Sequence, residues 1–215
     1  MKTELSFQKL LLAFFAFIVL MIIARFIYTG SHGFVFLIWN VFLAWIPFYA
    51  SSFFKQLQNA PVGKQALLFF TWLLFFPNAL YIITDLVHLD MDTRVPKWFD
   101  AVLLFTAAVT GLMMGLVSLL RAEKFLSGKF KKSTVNVSMV VILFLGSFGV
   151  YLGRFLRWNS WDIVSNPLNL LVSIGQRFIF PFDHLRTWGI TLQLTILFWL
   201  LYMAVKKLPA GVTTA

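Results

Sequence analysis

The chain has 215 residues, of which 60% are hydrophobic and 12% are charged, and its mean hydropathy is +0.85. A globular domain carries about 25% charged and about 45–50% apolar residues, so this composition excludes a water-soluble fold and indicates a membrane protein. The sequence contains no cysteine, which excludes disulfides, thiol catalysis and thiolate metal sites.

Charged residues divide the chain into six apolar segments, each close to the length of a membrane span. A helix needs about 20 apolar residues to cross a hydrocarbon core about 30 Å thick. The first segment reaches that length if Arg25 extends toward the interface. No small-residue cleavage site follows it, so we expect a retained helix rather than a signal peptide. We predict an all-α integral membrane bundle, a single transmembrane domain over residues 1–215, with spans at about 10–28, 33–54, 65–84, 101–120, 133–153 and 187–205.

The positions of the basic residues predict the orientation of this bundle. Lys and Arg collect in short cytoplasmic loops. With the N-terminus in the cytoplasm, eleven of the 18 basic residues are on the inner side, many of them in the compact loop from Arg121 to Lys132. We therefore predict that both termini are cytoplasmic. The formal charge of +10 is then a topology signal and does not indicate a nucleic-acid partner.

The two sides also differ in the kind of charge they carry. The outer side holds six Arg and one Lys, whereas the inner side holds ten Lys and one Arg, and six of the eight acidic residues are outer. The planar guanidinium of Arg suits carboxylate and phosphate better than the Lys ammonium does. This bias indicates defined pairing or ligand binding on the outer side.

The last outer connection, residues 154–186, is too long to be structureless. Ser165, Asn166 and Pro167 form a helix-start signal within it, and apolar residues recur on one face of the sequence that follows. We predict a short amphipathic helix that lies on the outer interface. A re-entrant segment is the alternative, because an aromatic stretch at 178–182 follows.

Small residues at a four-residue spacing occur in the fourth and fifth predicted spans. Such residues let helix backbones approach closely in lipid. We expect them to pack these spans within the chain, and a partner helix is the alternative. The pairs are Gly111 with Gly115 and Gly149 with Gly153.

Polar side chains recur along the third span. Asn78, Tyr81, Asp85 and His88 fall on one face of a helix. Within the membrane such groups must turn toward protein or water. Pro77 removes a backbone donor and favours a kink. We predict that this face forms one wall of an outward-open cavity.

A second polar cluster lies where the fifth span leaves the membrane. If the helix continues there, Tyr151, Arg154, Trp158 and Trp161 share a face. Structural alternatives are ion pairing of the Arg residues with Asp85, Asp100 or Asp162, and an aromatic belt for the Trp residues. The candidate ligand-binding residues of this cluster are Arg154, Arg157, Trp158, Asn159, Trp161 and Asp162.

Three stretches, residues 76–86, 98–100 and 153–162, resemble domain-of-unknown-function family 1361, a family of uncharacterised bacterial integral membrane proteins. The resemblance covers most of the chain and is most specific in the third stretch. It implies a multi-pass bacterial membrane protein and supplies no reaction, substrate or catalytic residues.

Our leading hypothesis is a binding or transport-associated protein of the bacterial cytoplasmic membrane, with an outward-facing polar site for an anionic envelope or lipid-linked ligand. One alternative is an enzyme in which Asp85 and His88 provide acid–base chemistry or bind a metal. Another is a structural or assembly subunit of a membrane complex. We predict no cofactor, and no HExxH-type metal motif is present.

Overall fold

A computed structural model describes residues 2–90 and 94–213 of the chain, and within these residues every regular element is helical. Two of the elements are 3₁₀ helices, at Ile82–Asp90 and Pro181–His184. The α-helices are α1 (Lys2–Thr29), α2 (Phe36–Ser52), α3 (Val62–Tyr81), α4 (Lys97–Ser127), α5 (Lys132–Leu156), α6 (Asp162–Ser165), α7 (Pro167–Ile179) and α8 (Leu185–Thr213).

Five helical segments of the described chain are long and apolar enough to cross a membrane. The protein is therefore a multi-pass α-helical membrane protein. The predicted second span corresponds to α2, whose 17 residues fall short of the usual length of about 20. That α2 crosses the membrane, which would bring the number of spans to six, thus stays a prediction. The five candidate spans are Ser6–Thr29, Val62–Leu89, Lys97–Ser127, Lys132–Leu156 and Pro181–Leu208.

Helix α4 lies at the centre of the bundle, and two apolar clusters flank it. One cluster joins α4 to α3, α5 and α8 around Trp72 and Leu143. The other joins α4 to α1 and α2 around Ile18 and Leu37. The centre of the fold is therefore the contact of α4 with the helices on both of its sides.

The small residues of α4 and α5 pack against α3. A Cβ atom on Gly111 would lie 2.7 Å from Ile82 Cδ1, just beyond the end of α3, and one on Gly149 would lie 2.6 Å from Pro77 Cγ. Close packing within the chain is therefore confirmed, but α3 is the helix that each glycine approaches. These contacts occupy the surface that a partner helix would need. Gly115 and Gly153 approach less closely: a Cβ atom on them would lie 3.2 Å from Ala79 Cβ and 3.4 Å from Tyr81 Cδ2.

The predicted polar face of the third span is divided by a change of helix type. Helix α3 ends at Tyr81, where the chain continues as the 3₁₀ helix. The Thr84 hydroxyl donates to the Tyr81 carbonyl at 2.6 Å at this junction. Because a 3₁₀ helix has 3.0 residues per turn, Asp85 and His88 align with each other and no longer continue the face of Asn78. The prediction of one continuous α-helical face is wrong.

The predicted continuation of the fifth span is also wrong. Helix α5 ends at Leu156, because Arg157 adopts a left-handed conformation with φ 60° and ψ 30°. The backbone N–H of Arg157 donates to the Leu152 carbonyl, which completes a left-handed cap. The chain turns there, so Trp158 and Trp161 do not share a helical face with Arg154.

The helix predicted in the last outer connection is present as α7. It begins at Pro167 and ends at Ile179. Leu170 is buried against the bundle, whereas Leu168 and Leu171 are exposed. Its helical state is confirmed, and its position at a membrane interface stays a prediction.

Candidate functional site

Asp85 and Arg154 form an ion pair between the 3₁₀ helix and α5. One Nη of Arg154 donates to Asp85 Oδ1, and its Nε donates to Thr84 Oγ1 at 2.8 Å. Asn40 Nδ2, from α2, donates to Asp85 Oδ2 at 2.8 Å. The side chain of Asp85 is 1% exposed and that of Arg154 is 15% exposed. Both carboxylate oxygens are therefore occupied, and the charge of Asp85 is neutralised within the protein.

Tyr81 and His88 flank this pair. The Arg154 guanidinium carbon lies 4.3 Å from the centre of the Tyr81 ring, a cation–π contact. His88 Nδ1 lies 3.0 Å from the backbone oxygen of Asp85 but 3.9 Å from its carboxylate. The His88 ring also packs on Phe36, with ring centres 5.0 Å apart. His88 is thus held by backbone and ring contacts, and no direct hydrogen bond joins it to the carboxylate.

A second buried Arg–Asp pair joins α1 to α4. Arg25 Nε donates to Asp100 Oδ1 at 2.8 Å, and its Nη2 donates to Asp100 Oδ2 at 3.2 Å. The two side chains are 2% and 1% exposed, and the Arg25 guanidinium lies 4.3 Å from the centre of the Phe34 ring. The expectation that Arg25 extends toward the interface is wrong, because its charge is satisfied inside the bundle.

A cavity of about 260 Å³ lies beside the Asp85–Arg154 pair, between α2, α3, α5 and α7. Its polar lining carries no free charge. Trp39 and Trp158 contribute indole rings to its wall. We call this space the polar cavity. The polar residues that line it are Asn40, Asn78, Tyr81, Asn159 and Ser160.

A hydrogen-bonded bridge holds the loop after α5 against α3. Asn78 Nδ2 donates to the Phe75 carbonyl at 3.0 Å and to Ser160 Oγ at 3.0 Å. Ser160 Oγ in turn donates to the Leu74 carbonyl at 3.3 Å. Because these bonds connect positions 82 residues apart, they fix Trp158 and Asn159 at the edge of the polar cavity.

Asp162 stabilises its own turn and does not reach the ion pair. The backbone N–H of Asn159 donates to Asp162 Oδ2 at 2.7 Å, and the Ser165 hydroxyl donates to Oδ1 at 2.9 Å. These bonds, the Asn159 backbone bond above all, hold the pKa of Asp162 below its usual range. Asp162 is not among the residues that line the polar cavity, and its predicted role in ligand binding stays a prediction.

Trp161 and Arg157 lie outside the lining of the polar cavity. The Trp161 ring meets the Trp39 ring edge to face, with centres 6.3 Å apart. Arg157 is exposed, and its guanidinium makes no ion pair with any residue that the structure describes. Trp161 therefore supports a wall of the cavity from outside, and Arg157 is a free cation next to Trp158 in the chain.

The two predicted clusters thus meet, but in a different arrangement from the predicted one. Asn78, Tyr81, Trp158 and Asn159 line the polar cavity, whereas Asp85 and Arg154 pair with each other beside it. Asn40, Thr84 and Ser160 were not predicted as site residues. Asn40 carried a signal, because it is the one amide in the uncharged segment 33–54.

The described residues give the metal hypothesis no ligand set. Among residues 2–90 and 94–213, no group of three or more His, Asp or Glu side chains could hold a metal ion. Asp92 lies outside the described residues.

The fold and the site define the class of the protein as a multi-pass helical membrane protein with a polar cavity at one end of its bundle. The chain belongs to the family described as "Protein of unknown function (DUF1361)", whose model matches residues 39–201. Comparisons with curated proteins and with solved structures give no match. The matched range includes the polar cavity and both members of the Asp85–Arg154 pair, whereas Arg25 precedes it.

Proposed function

We propose that the protein is a binding or transport-associated protein of the bacterial cytoplasmic membrane, and that the polar cavity receives the polar part of a lipid-linked envelope ligand. The observation that carries this proposal is the cavity itself, where the two polar sequence clusters meet between α2, α3, α5 and α7. A concave site with a few placed polar groups on an otherwise apolar lining is the usual form of a small-molecule site.

The rest of the lining favours a ligand with an apolar part. Leu43, Leu73, Leu170 and Ile174 lie next to the polar groups in the same cavity. Leu168 and Leu171 extend the apolar surface along α7 outside it. An amphiphile can place its polar group in the polar cavity and its apolar chain along α7. A free polar solute has no apolar chain to cover that surface.

The hypothesis that the ligand is anionic requires a cation to bind it, and Arg157 is the candidate. Arg154 directs its Nε to Thr84 and one Nη to Asp85, and its positive charge is already paired with the Asp85 carboxylate. Arg157 is exposed and has no such commitment. If the ligand carries a phosphate, we expect it at the rim near Arg157 and not inside the cavity.

We also propose six spans, with α2 as the second, both termini in the cytoplasm and α7 on the outer interface. Contacts at the end of the bundle away from the cavity support this orientation. Lys206 pairs with Glu123 there, and Lys129 Nζ donates to the Gln58 carbonyl at 3.4 Å. Since a Lys-rich end is typical of the cytoplasmic side, the polar cavity would open outward.

The orientation can be tested with single cysteines, because the chain contains none of its own. Lys131→Cys, before α5, and Asn169→Cys, on α7, place one thiol on each proposed side. With a membrane-impermeant maleimide on intact cells, we expect Asn169→Cys to be labelled and Lys131→Cys to be labelled only after permeabilisation. The reverse pattern would overturn the proposed topology.

The binding function can be tested by native mass spectrometry of protein purified from its own membrane. We expect a retained lipid-linked adduct on the wild type and on Trp98→Ala, whose ring is exposed and outside the cavity. We expect the adduct to be lost from Trp158→Ala, because Trp158 lines the cavity. Identical adduct spectra for the two variants would contradict the proposal.

No feature of the described residues supports the enzyme or the assembly hypothesis as the polar cavity supports the binding hypothesis. The Asp85 carboxylate is paired with Arg154 and accepts from Asn40, and its side chain is 1% exposed, so it does not face a substrate in solution. The glycine faces that an assembly partner would need are covered by α3.

A further inference from the structure

The hydrogen-bonding groups of the polar cavity are committed unevenly between donors and acceptors. The two amide hydrogens of Asn78 go to the Phe75 carbonyl and to Ser160 Oγ. A carbonyl can only accept, so this contact fixes which end of the Asn78 amide carries the nitrogen. The amide oxygen of Asn78 is therefore the atom left to meet a ligand.

The other polar side chains repeat this arrangement. Asn40 gives an amide hydrogen to the Asp85 carboxylate, which again can only accept. Asn159 Nδ2 lies 3.5 Å from Asp162 Oδ2, and the Ser160 hydroxyl donates to the Leu74 carbonyl. The amide oxygens of all three asparagines are thus left for a ligand, while both amide hydrogens of Asn78 and one each of Asn40 and Asn159 are used by the protein.

This lining disfavours a charged group inside the cavity. An anion would meet amide oxygens there, and the nearest guanidinium, that of Arg154, already holds Asp85. A cation would find no carboxylate among the residues that line the cavity. The site therefore selects a neutral group that brings its own hydrogen-bond donors.

Two further features narrow the chemistry of that group. Trp39 and Trp158 offer flat indole surfaces, against which the C–H face of a saturated ring can pack. The volume of about 260 Å³ is below the range of about 300–1,000 Å³ that is usual for drug-sized ligands. There is room for one ring and not for an extended oligomer.

We infer that the polar cavity binds a neutral, hydroxyl-rich ring, such as a single saccharide unit at the head of a lipid-linked carbohydrate. This inference rests on the proposed function, since it names the headgroup of the same ligand. The ring hydroxyls donate to the amide oxygens of Asn40, Asn78 and Asn159, and one ring face packs on Trp158.

The test compares three amphiphiles that share an alkyl chain and differ in headgroup charge: decyl glucoside, decyl phosphate and decyltrimethylammonium. The full-length protein is held in phosphatidylcholine nanodiscs, and each radiolabelled probe is titrated below its critical micelle concentration. We expect saturable binding of decyl glucoside, at least about tenfold tighter than either charged probe, a difference of about 1.4 kcal/mol.

Two variants and two matched controls locate the binding. We expect Trp158→Ala and Asn78→Leu each to weaken glucoside binding by about tenfold or more. Trp98→Ala and Asn169→Ala change the same residue types outside the cavity and should leave it unchanged. If Asn78→Leu disturbs the Ser160 bridge and fails to fold, Trp158→Ala still decides the result.

The outcomes separate this inference from the proposed function. Tighter, Trp158-dependent binding of decyl phosphate or decyltrimethylammonium would overturn the saccharide inference and leave a lipid-linked ligand in place. Equal binding of all three probes that Trp158→Ala does not change would overturn the inference, because only the alkyl chain is then recognised. Failure of every probe to bind would count against the proposed function as well.

Discussion

The two buried Arg–Asp pairs use the same charges in different surroundings. Arg25 directs two donors to Asp100, and both side chains are almost completely buried. Arg154 divides its donors between Asp85 and Thr84, and it remains 15% exposed beside the polar cavity. The first pair is closed to any ligand, whereas the second forms part of a wall that a ligand can approach.

The comparison shows that a buried ion pair is not by itself evidence of a site. Neutralising a charge inside a bundle offsets the cost of burying it, and the net gain in stability is often small. What distinguishes the Asp85–Arg154 pair is the ring of neutral polar groups around it. The pairs should therefore respond differently to substitution.

The largest expected effect is on the closed pair. Asp100→Ala removes a buried carboxylate that accepts two hydrogen bonds from the buried Arg25, which we expect to reduce the free energy of unfolding by about 3–5 kcal/mol. Reversible unfolding in mixed micelles measures this. The double variant R25M/D100L, which removes both charges, should recover most of the loss and bind decyl glucoside as the wild type does. Wild-type stability of Asp100→Ala would contradict the assigned role.

A smaller effect on stability, joined to an effect on binding, is expected at the second pair. Arg154→Lys keeps a positive charge but cannot hold Asp85 and Thr84 with one planar group, so we expect a loss of about 1–3 kcal/mol. The cation–π contact that orients Tyr81 also changes, and decyl glucoside binding should weaken by about tenfold.

Arg25→Lys is the matched control for this variant. It should lower stability and leave glucoside binding unchanged in the folded fraction. Equal effects of the two Lys variants on binding would remove the distinction between the pairs.

The close packing of α5 against α3 forms part of the wall of the polar cavity. Gly149→Ala places a methyl group 2.6 Å from Pro77 Cγ, and we expect it to cost about 1–3 kcal/mol of unfolding free energy. Gly175→Ala, on α7, meets no atom within 4 Å and should be neutral or stabilising by up to about 1 kcal/mol. Equal unfolding temperatures of the two variants would contradict a close contact between position 149 and Pro77.

The smallest effect concerns pH and the turn that Asp162 stabilises. The folded pKa of Asp162 is lowered, so its contribution is present above the unfolded pKa of about 3.9 and is lost as the pH falls through the folded value. The Asn159 amide chemical shift, followed by NMR, should be constant from pH 7 to 5 and move only below about pH 4. Asp162→Asn should abolish that change. A midpoint above 4 would contradict the assigned hydrogen bonds.

The sequence predicted much of the fold because the spans are set by composition. The five candidate spans fall at predicted segments, and α7 begins at the predicted Pro167. The 3₁₀ helix after Tyr81 and the left-handed Arg157 were not predicted, because both depend on local hydrogen bonds that leave no periodic signal.

The sequence predicted several residues of the candidate site but not how they are arranged. Asn78 and Trp158 do line one cavity, and pairing of Arg154 with Asp85 stood among the alternatives. The Arg25–Asp100 contact joins residues 75 positions apart, and nothing local in the sequence indicates it. Asn40 and Ser160 were missed because each acts only through the partner that the fold supplies.

The most direct test of the central claim is photo-crosslinking with p-benzoylphenylalanine at two positions of similar exposure. Ile163, which lines the polar cavity, is 48% exposed, and Phe26, next to Arg25, is 41% exposed. In nanodiscs with radiolabelled decyl glucoside, we predict a crosslink at position 163 that excess unlabelled glucoside abolishes, and none of that kind at position 26. Equal crosslinking at both positions, or labelling at 163 that does not compete, would contradict a saccharide site in the polar cavity.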